Sequence, residues 1–363
     1  MAIIGGLTEE DVRARLGSWL ADRFDGAKIA DVSQPTGNGR STDTFLVDLD
    51  RGPGVVVRVE PGAFRVVYEY DLAREARVMN AVAEHTDVPA PRVLHHEPDP
   101  ELLGSPFLIL ERLHGRTPGD EPPFPADPSS WVHTLTDDQR AAMFDDALRR
   151  VAQIHAADWR VLGLADLVRP RLGDDPLAQH VGWWREFYAW GSAGRPCRTI
   201  EQAFEWLDAH WPADPGPTVL TWGDSRLGNI MFEGGAVSAV LDWELATLAP
   251  AGVDLGWWLF SDRHHSAGIG APWPTGFPDR AGTLTGYARR SGFEIPHDEW
   301  FEVYGGLRFA ALMNRAGNML VDAGALPAED TMAVNNPATH LLAGLIGVEA
   351  PEGTATSFLN SGG

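Results

Sequence analysis

The feature that most constrains this chain is one stretch, TWGDSRLGNIMFEGGAVSAVLDWE, at residues 221–244. The segments NIMF and AVSAVLDW read as two apolar strands joined by the glycine turn EGG. A two-residue turn predicts that Phe232 pairs with Val237 and that Asn229 lies opposite Val240. The stretch therefore predicts a β-hairpin with polar groups at its open end.

Three side chains with oxygen atoms surround this hairpin. Asp224 lies five residues before Asn229, and Asp242 ends the apolar return strand. At about 3.3 Å per strand residue, Asn229 and Asp242 can converge on one ion. A carboxylate and an amide oxygen, completed by water and phosphate oxygens, suit Mg²⁺ on a nucleotide. With Asp224 accepting the proton of a substrate hydroxyl, the spacing predicts phosphoryl transfer. The alternative is that these carboxylates only cap turns.

Composition limits the remaining possibilities. With 363 residues and an apolar fraction of 44%, the chain can form two lobes with sizeable cores. Its formal charge of -22 argues against nucleic-acid binding and is compatible with a cationic ligand, although solubility is the simpler explanation. The single cysteine, Cys197, fits a structural thiol in a reducing compartment. No signal-peptide pattern opens the sequence, and its late apolar run LLAGLIGV is too short for a membrane span, so a cytoplasmic protein without membrane contact is expected.

The periodicity divides the chain into two parts. Residues 1–113 predict an N-lobe with a small antiparallel sheet, and residues 114–363 predict a mainly helical C-lobe. Thirteen of the fourteen tryptophans follow Leu113, which core packing explains, with an aromatic substrate wall as the alternative. The predicted strands are 28–34, 44–50, 55–60 and a run ending near 113; the predicted helices are 66–85, 137–157, 174–190, 199–210, 280–290 and one from 298.

The motifs WGDSRLGNIMF and VLDWE resemble the catalytic-loop and metal-binding motifs of the aminoglycoside phosphotransferase family, in the branch with DWE in place of DFG. Further segments of the chain are similar to that family: RVAQIHAADW, VPAPRVL, PFLILERLHG and APAGVDLGWWLF. The resemblance implies an α+β, two-lobed protein-kinase-like fold with nucleotide bound by the N-lobe. It also implies that Asp254 supports the catalytic loop, the alternative being a helix N-cap. Trp222 stands where the family often has His, which leaves open how this loop is held.

The same resemblance implies a nucleotide site in the N-lobe. The turn PTGNGRSTDTF offers Gly37, Gly39 and Ser41 for contact with phosphate oxygens. The only lysine, Lys28, precedes this turn, so Arg58 in VVVRVE is expected to take the place of the strand lysine of protein kinases. An exposed arginine on an edge strand is the alternative.

The remaining nucleotide contacts follow from the family pattern. Glu75 on the long helix is expected to pair with Arg58, with Glu69 as the substitute. The backbone from Glu111 to Leu113 is expected to meet the adenine edge.

The sequence thus predicts transfer of the γ-phosphoryl group of ATP, with Mg²⁺, to a hydroxyl of a small molecule such as an aminoglycoside or another amino-sugar. The alternative is a nucleotide-binding pseudokinase with a signalling or scaffolding role. A metallohydrolase at His95-His96 or His264-His265 is disfavoured, because adjacent histidines diverge on a regular strand and no HExxH spacing is present. The acceptor, the choice of ATP or GTP and the oligomeric state stay open, with residues 174–210 and those after 261 expected to line the acceptor pocket.

Overall fold

The structure, a computed structural model, describes residues 6–35, 43–62, 65–120 and 122–356. Within these ranges a small antiparallel sheet with two helices precedes a larger, mainly helical part, which is the α+β arrangement that the sequence predicts. The strands are β1 Ile29–Ser33, β2 Asp43–Leu49, β3 Val55–Val59, β4 Val93–Glu97, β5 Phe107–Glu111, β6 Thr218–Thr221, β7 Ile230–Glu233, β8 Ala236–Val240 and β9 Thr247–Pro250. The α-helices are α1 Glu9–Arg23, α2 Leu72–His85, α3 Asp137–Ala156, α4 Pro176–Gly191, α5 Arg198–Ala209, α6 Gly252–His264, α7 Arg280–Ser291, α8 Asp298–Asp322 and α9 Pro337–Ile346.

The five-stranded sheet has the order β1-β2-β3-β5-β4, and all its neighbours are antiparallel. Three of its strands lie within one residue of their predicted limits. Strand β4, VLHHE, was not predicted, because its three polar residues give no strand pattern and only its pairing with β5 makes it a strand.

The alternation of β3 places its side chains on two different faces. Val55, Val57 and Val59 pack in one buried cluster with residues of α1, whereas Val56 and Arg58 point to the opposite face. Arg58 pairs across the sheet with a residue on each side, in β2 and in β5. It is also only 7% exposed. The alternative of an exposed arginine on an edge strand is therefore wrong.

Helix α2 covers the second face of the sheet and is shorter than predicted. It begins at Leu72 rather than near residue 66, because the Asp71 side chain accepts a hydrogen bond from the Arg74 backbone and caps the first turn. Its buried residues, among them Met79 and Val82, join Leu110 of β5 in the largest apolar cluster, which continues into the helical part.

The catalytic-motif hairpin is formed by β7 and β8. Phe232 pairs with Val237, as predicted. The prediction that Asn229 faces Val240 is wrong by one residue: Ile230 takes that place because the register shifts between Met231 and Phe232.

Helices α6 and α8 form the closest helix pair of the larger part. A Cβ on Gly256 would lie 1.9 Å from the Phe301 carbonyl oxygen, and one on Gly305 would lie 2.4 Å from the Gly256 carbonyl oxygen. Helices α6 and α9 were not predicted. Helix α6 is buried along nearly its whole length and therefore shows no apolar stripe. No helix in the described part of the chain is long and apolar enough to cross a membrane.

Candidate active site

One buried carboxylate, that of Asp254, holds the loop between β6 and β7. Asp254 accepts hydrogen bonds from the backbone of Trp222 at 2.7 Å and of Gly223 at 2.8 Å, one on each oxygen. His155 Nε2 makes a third contact with this carboxylate, 2.9 Å from Asp254 Oδ2. The N-cap of α6 is Ala251, so Asp254 does not cap the helix. Its contacts are those of a residue that supports the loop.

The indole of Trp222 ties this loop to the end of β8. Its Nε1 donates to the carbonyl of Leu241 at 2.8 Å and to that of Asp242 at 3.1 Å. Arg308, wholly buried, donates to the Gly223 carbonyl at 2.6 Å and to the Val253 carbonyl at 3.0 Å. These bonds show how a loop with Trp in place of His is held.

Asp224 is fixed by three donors. Trp257 Nε1 lies 2.7 Å and Arg226 Nε 3.0 Å from its Oδ1, and Asn229 Nδ2 lies 2.6 Å from its Oδ2. Trp257 and Arg226 were not predicted. Trp257 lies three residues after Asp254 on α6, so a helical reading of DLGW would have placed both on one side of the helix.

Arg226 connects Asp224 and Asn229 to a further loop, for which the sequence predicts no role. Its guanidinium pairs with Asp120 and donates to Asn229 Oδ1 at 3.2 Å. Asp120 lies in the Pro- and Asp-rich segment after His114. A Cβ on Gly228 would lie 2.4 Å from the Asp120 carboxylate, so only glycine allows this approach.

Arg58 forms the centre of a second charged group. Its guanidinium nitrogens lie 2.9 Å from Glu75, 3.0 Å from Asp242 and 2.9 Å from Glu244. The structure thus brings Arg58 and Glu75 together. Glu69 lies elsewhere, where it accepts a hydrogen bond from Trp183. Glu244, the last residue of the DWE motif, was not assigned a role in the sequence analysis.

Around Arg58 and Arg226, carboxyl groups outnumber guanidinium groups. Burial raises the pKa of Glu75, and burial together with the Asp242 charge raises the pKa of Glu244 to about 8. Counting Asp224 and Asp120 with Arg226, five carboxylates surround two guanidiniums. A cation bound beside these carboxyl groups would lower the raised pKa values and favour the charged carboxylates.

Two of the oxygens have the chemistry that Mg²⁺ prefers. Asp242 Oδ1 and Asn229 Oδ1 each face a guanidinium nitrogen, and both residues line one cavity. Among the described residues, no three His, Cys, Asp or Glu side chains converge as a complete metal site. This donor set fits an ion whose remaining ligands are water and phosphate oxygens.

The cavity beside Arg58 has a volume of ≈ 550 Å³, within the range typical of ligand pockets. Glu111 and Leu113 line it, as do Arg58, Asn229 and Asp242. Apolar side chains form its other walls: Val56, Met79, Leu110, Met231 and Leu241. The predicted phosphate contacts Gly37, Gly39 and Ser41 lie outside the described residues.

Sequence relatives occur inside much longer proteins. The chain is 31% identical over 222 residues to a probable acyl-CoA dehydrogenase, IBR3, of Arabidopsis thaliana, covering 58% of this chain and 26% of that protein. It is 30% identical over 221 residues to acyl-CoA dehydrogenase family member 10 of Mus musculus, covering 60% of this chain and 19% of that protein. The chain thus spans about a quarter or less of the length of these two relatives.

Solved structures cover nearly the whole chain. A putative aminoglycoside phosphotransferase from Ralstonia eutropha JMP134 is 26% identical with a TM-score of 0.68, covering 92% of this chain and 95% of that one. A mutant of the aminoglycoside phosphotransferase APH(4)-Ia in complex with ADP and hygromycin B is 18% identical with a TM-score of 0.56, covering 93% of this chain and 99% of that one. A macrolide 2'-phosphotransferase from Brachybacterium faecium is 19% identical with a TM-score of 0.53, covering 92% of this chain and 98% of that one. The last two share the fold.

The model of the phosphotransferase enzyme family, APH, matches residues 33–293 of this chain. This range includes β2 to β9, the loop with Asp224 and the hairpin. The chain therefore belongs to the aminoglycoside phosphotransferase family, a family of phosphotransferase enzymes, and has a two-lobed, kinase-like α+β fold.

Proposed function

We propose that the protein transfers the γ-phosphoryl group of ATP, with Mg²⁺, to a hydroxyl of a small molecule. The observation that carries the proposal is the arrangement of Asp224, Asn229 and Asp242. Asn229 donates to Asp224 at 2.6 Å and, with Asp242, lines the cavity that contains Arg58. This arrangement supports the roles of Asp224 as acceptor of a hydroxyl proton and of the nearby Asn229 and Asp242 oxygens as ligands of a metal–phosphate complex.

In this proposal the cavity holds the nucleotide. The adenine lies between the apolar walls, near the backbone from Glu111 to Leu113, and Arg58 steadies the phosphates. Asn229 and Asp242 hold Mg²⁺, which neutralises phosphate charge when bound. The neighbour with bound ADP supports ATP as the phosphoryl donor.

Asp224 receives the acceptor hydroxyl. A carboxylate offers about four lone-pair sites, and three are taken by Trp257, Arg226 and Asn229. One site remains for a substrate proton. This network also disfavours the pseudokinase alternative, because nucleotide binding alone gives no reason to hold a carboxylate by three donors.

Two acceptor classes have support. The fold neighbours named for aminoglycoside and macrolide substrates favour a hydroxylated sugar compound. The acyl-CoA dehydrogenases among the sequence relatives favour a second candidate, a hydroxylated acyl compound. A screen of both classes for ATP consumption, with product mass as the check, distinguishes them.

The nucleotide part is tested by thermal unfolding. We expect MgATP to raise the melting temperature and ATP with a chelator to raise it much less, because a ligand that binds only the folded state stabilises it by mass action. MgGTP under the same conditions measures the preference for the base. An equal shift with and without Mg²⁺ would contradict the roles of Asn229 and Asp242.

A further inference from the structure

A second, much smaller cavity lies between the first turn of α2 and helix α4. Trp183 and Leu245 form part of its walls, and its polar lining comprises Arg74, Arg169, Gln179, His180 and Thr247. Its volume is ≈ 20 Å³, whereas one water needs about 10–15 Å³ of such space. The cavity can therefore hold the head of a small polar group and excludes a sugar ring or a base.

The two arginines make this cavity positively charged in a strongly acidic protein. Arg169 lies 3.3 Å from Glu69 and 5.3 Å from the Trp183 ring centre. No described residue accepts a hydrogen bond from the Arg74 side chain, and the neighbouring carboxylate, Glu75, is bound to Arg58. Arg169 thus has one carboxylate partner, Glu69, and the Arg74 side chain lines the same cavity.

Burial and the Arg74 charge lower the pKa of Arg169 to about 10. Burial and the Arg74 charge therefore disfavour the charged form of Arg169, and an anion beside the two guanidiniums would offset this effect. The backbone of Arg169 is also held in place, since its N–H donates to Gln179 at 2.7 Å and Gln179 in turn donates to the Gly173 carbonyl at 3.2 Å. The site is built before a ligand arrives.

Chain connectivity places this cavity next to the candidate active site. Arg74 directly precedes Glu75, and Leu245 directly follows Glu244; both carboxylates bind Arg58. Consecutive Cα atoms are 3.8 Å apart. The cavity is therefore lined by the sequence neighbours of two carboxylates that bind Arg58.

Its far wall reaches the loop that holds Asp224. Trp184 lines the cavity, and its ring centre is 5.1 Å from the Arg308 guanidinium. Arg308 donates to the carbonyl of Gly223, the residue before Asp224. Two buried side chains, Trp184 and Arg308, thus connect the wall of the cavity to the loop that holds Asp224.

We propose that Arg74 and Arg169 form a subsite for an anionic group, a carboxylate or a phosphate, carried by the phosphoryl acceptor. Two guanidiniums suit such oxygens because they donate pairs of parallel hydrogen bonds. The inference rests on the proposed function and adds to it: the acceptor is an anionic hydroxy compound rather than a polycationic one.

The kinetic test compares a hydroxy-carboxylate acceptor with its neutral amide and with an amine of the same length. We expect kcat/KM to favour the carboxylate by about 10- to 100-fold, as for charge-assisted hydrogen bonds. Arg74→Gln and Arg169→Gln should each remove most of this preference through a higher KM for the carboxylate. Their matched controls are Arg77→Gln and Arg171→Gln, whose side chains pair with Asp166 and Glu186 outside the cavity.

A binding test needs no turnover. Acetate and inorganic phosphate are compared with chloride at equal ionic strength, with the melting temperature as the readout. We expect both oxyanions to stabilise the parent and the two controls, but not Arg74→Gln or Arg169→Gln; circular dichroism checks that every variant is folded. An identical response of Arg169→Gln and the parent, or a preference for the amine acceptor, would overturn the subsite. Stabilisation by anions without transfer to any acceptor would refute the proposed function and the acceptor assignment, leaving only an anion site.

Discussion

At the residue scale, the hydrogen bonds around Asp224 determine what its carboxylate can do. Trp257, Arg226 and Asn229 fix its two oxygens before any acceptor binds. A carboxylate fixed in this way pays no reorganisation cost when the acceptor hydroxyl arrives. Asp242, by contrast, directs its Oδ1 to Arg58, and the proposed function assigns both residues to nucleotide binding.

The two aspartates should therefore differ on substitution. Asp224→Asn should lower turnover by about 10²- to 10⁴-fold while MgATP affinity stays within a few-fold, because it removes only the hydroxyl acceptor. Asp242→Asn should impair both, because it removes a charge from the expected Mg²⁺ ligands. Calorimetric titration with MgATP beside steady-state kinetics measures the difference. The opposite pattern would reverse the two roles.

Trp257 should affect turnover through Asp224. Trp257→Phe keeps an aromatic ring beside Phe309 but removes the hydrogen bond of 2.7 Å to Asp224. A hydrogen bond to a charged group contributes about 1.5–3 kcal/mol, so kcat should fall about 10- to 100-fold with MgATP affinity retained. Trp211→Phe, at a position 37% exposed, is the control and should leave kcat unchanged. A lower melting temperature with unchanged kcat would show that Trp257 is only structural.

At the element scale, the loop between β6 and β7 depends on one glycine. Gly223 has a φ of 97°, donates its N–H to Asp254 and gives its carbonyl to Arg308. A Cβ at this position would lie 2.4 Å from the Leu245 carbonyl oxygen. Backbone conformation and close packing thus both require glycine here.

Gly223→Ala should therefore destabilise the protein more than Gly235→Ala. Gly235, in the turn between β7 and β8, has a similar φ of 89°, but nothing lies within 4 Å of a Cβ there. The turn variant should lose about 1–2 kcal/mol for its left-handed backbone alone, and the loop variant should lose more. Urea unfolding of both variants gives the two free energies. Equal losses would mean that the loop moves away from Leu245 at little cost.

At the scale of the whole molecule, one apolar core joins the small sheet to the helical part. Met79 of α2 and Leu110 of β5 belong to the same buried cluster as Ile230, Val240 and Trp258. The connection before α2 is also bound to the helices: Arg315 donates to the Arg65 carbonyl at 2.9 Å, and Trp183 donates to Glu69 at 3.1 Å. The predicted boundary between residues 113 and 114 and the cytoplasmic location stay predictions.

This shared core predicts a single unfolding transition. Calorimetry should give one peak whose calorimetric and van't Hoff enthalpies agree, although chains above about 150 residues often unfold in steps. Val57→Ala, which opens a cavity between β3 and α1, should lower the temperature of the whole peak. Two resolved peaks, or a shift of only part of the heat absorption, would contradict the coupling of the lobes.

Local spacing along the chain was enough to predict the hairpin, the small sheet and the mainly helical second part, whereas the family resemblance implied the two-lobed, kinase-like fold. Each of the locally predicted features depends on contacts between near neighbours in sequence or on a pattern of period two, which the residues themselves display. The family resemblance added the pairing of Glu75 with Arg58, and the two side chains meet at 2.9 Å.

Other features depend on residues far apart in sequence and could not be predicted in this way. Whether β4 is a strand, how a loop with Trp222 is held and which donors fix Asp224 follow from packing against β5, α6 and α8. Neither the burial of Glu244 against Arg58 nor the meeting of Arg74 with Arg169 shows any periodic pattern. Burial and charge at such positions are set by the surrounding tertiary structure, because the local dielectric and the neighbouring charges come from other elements.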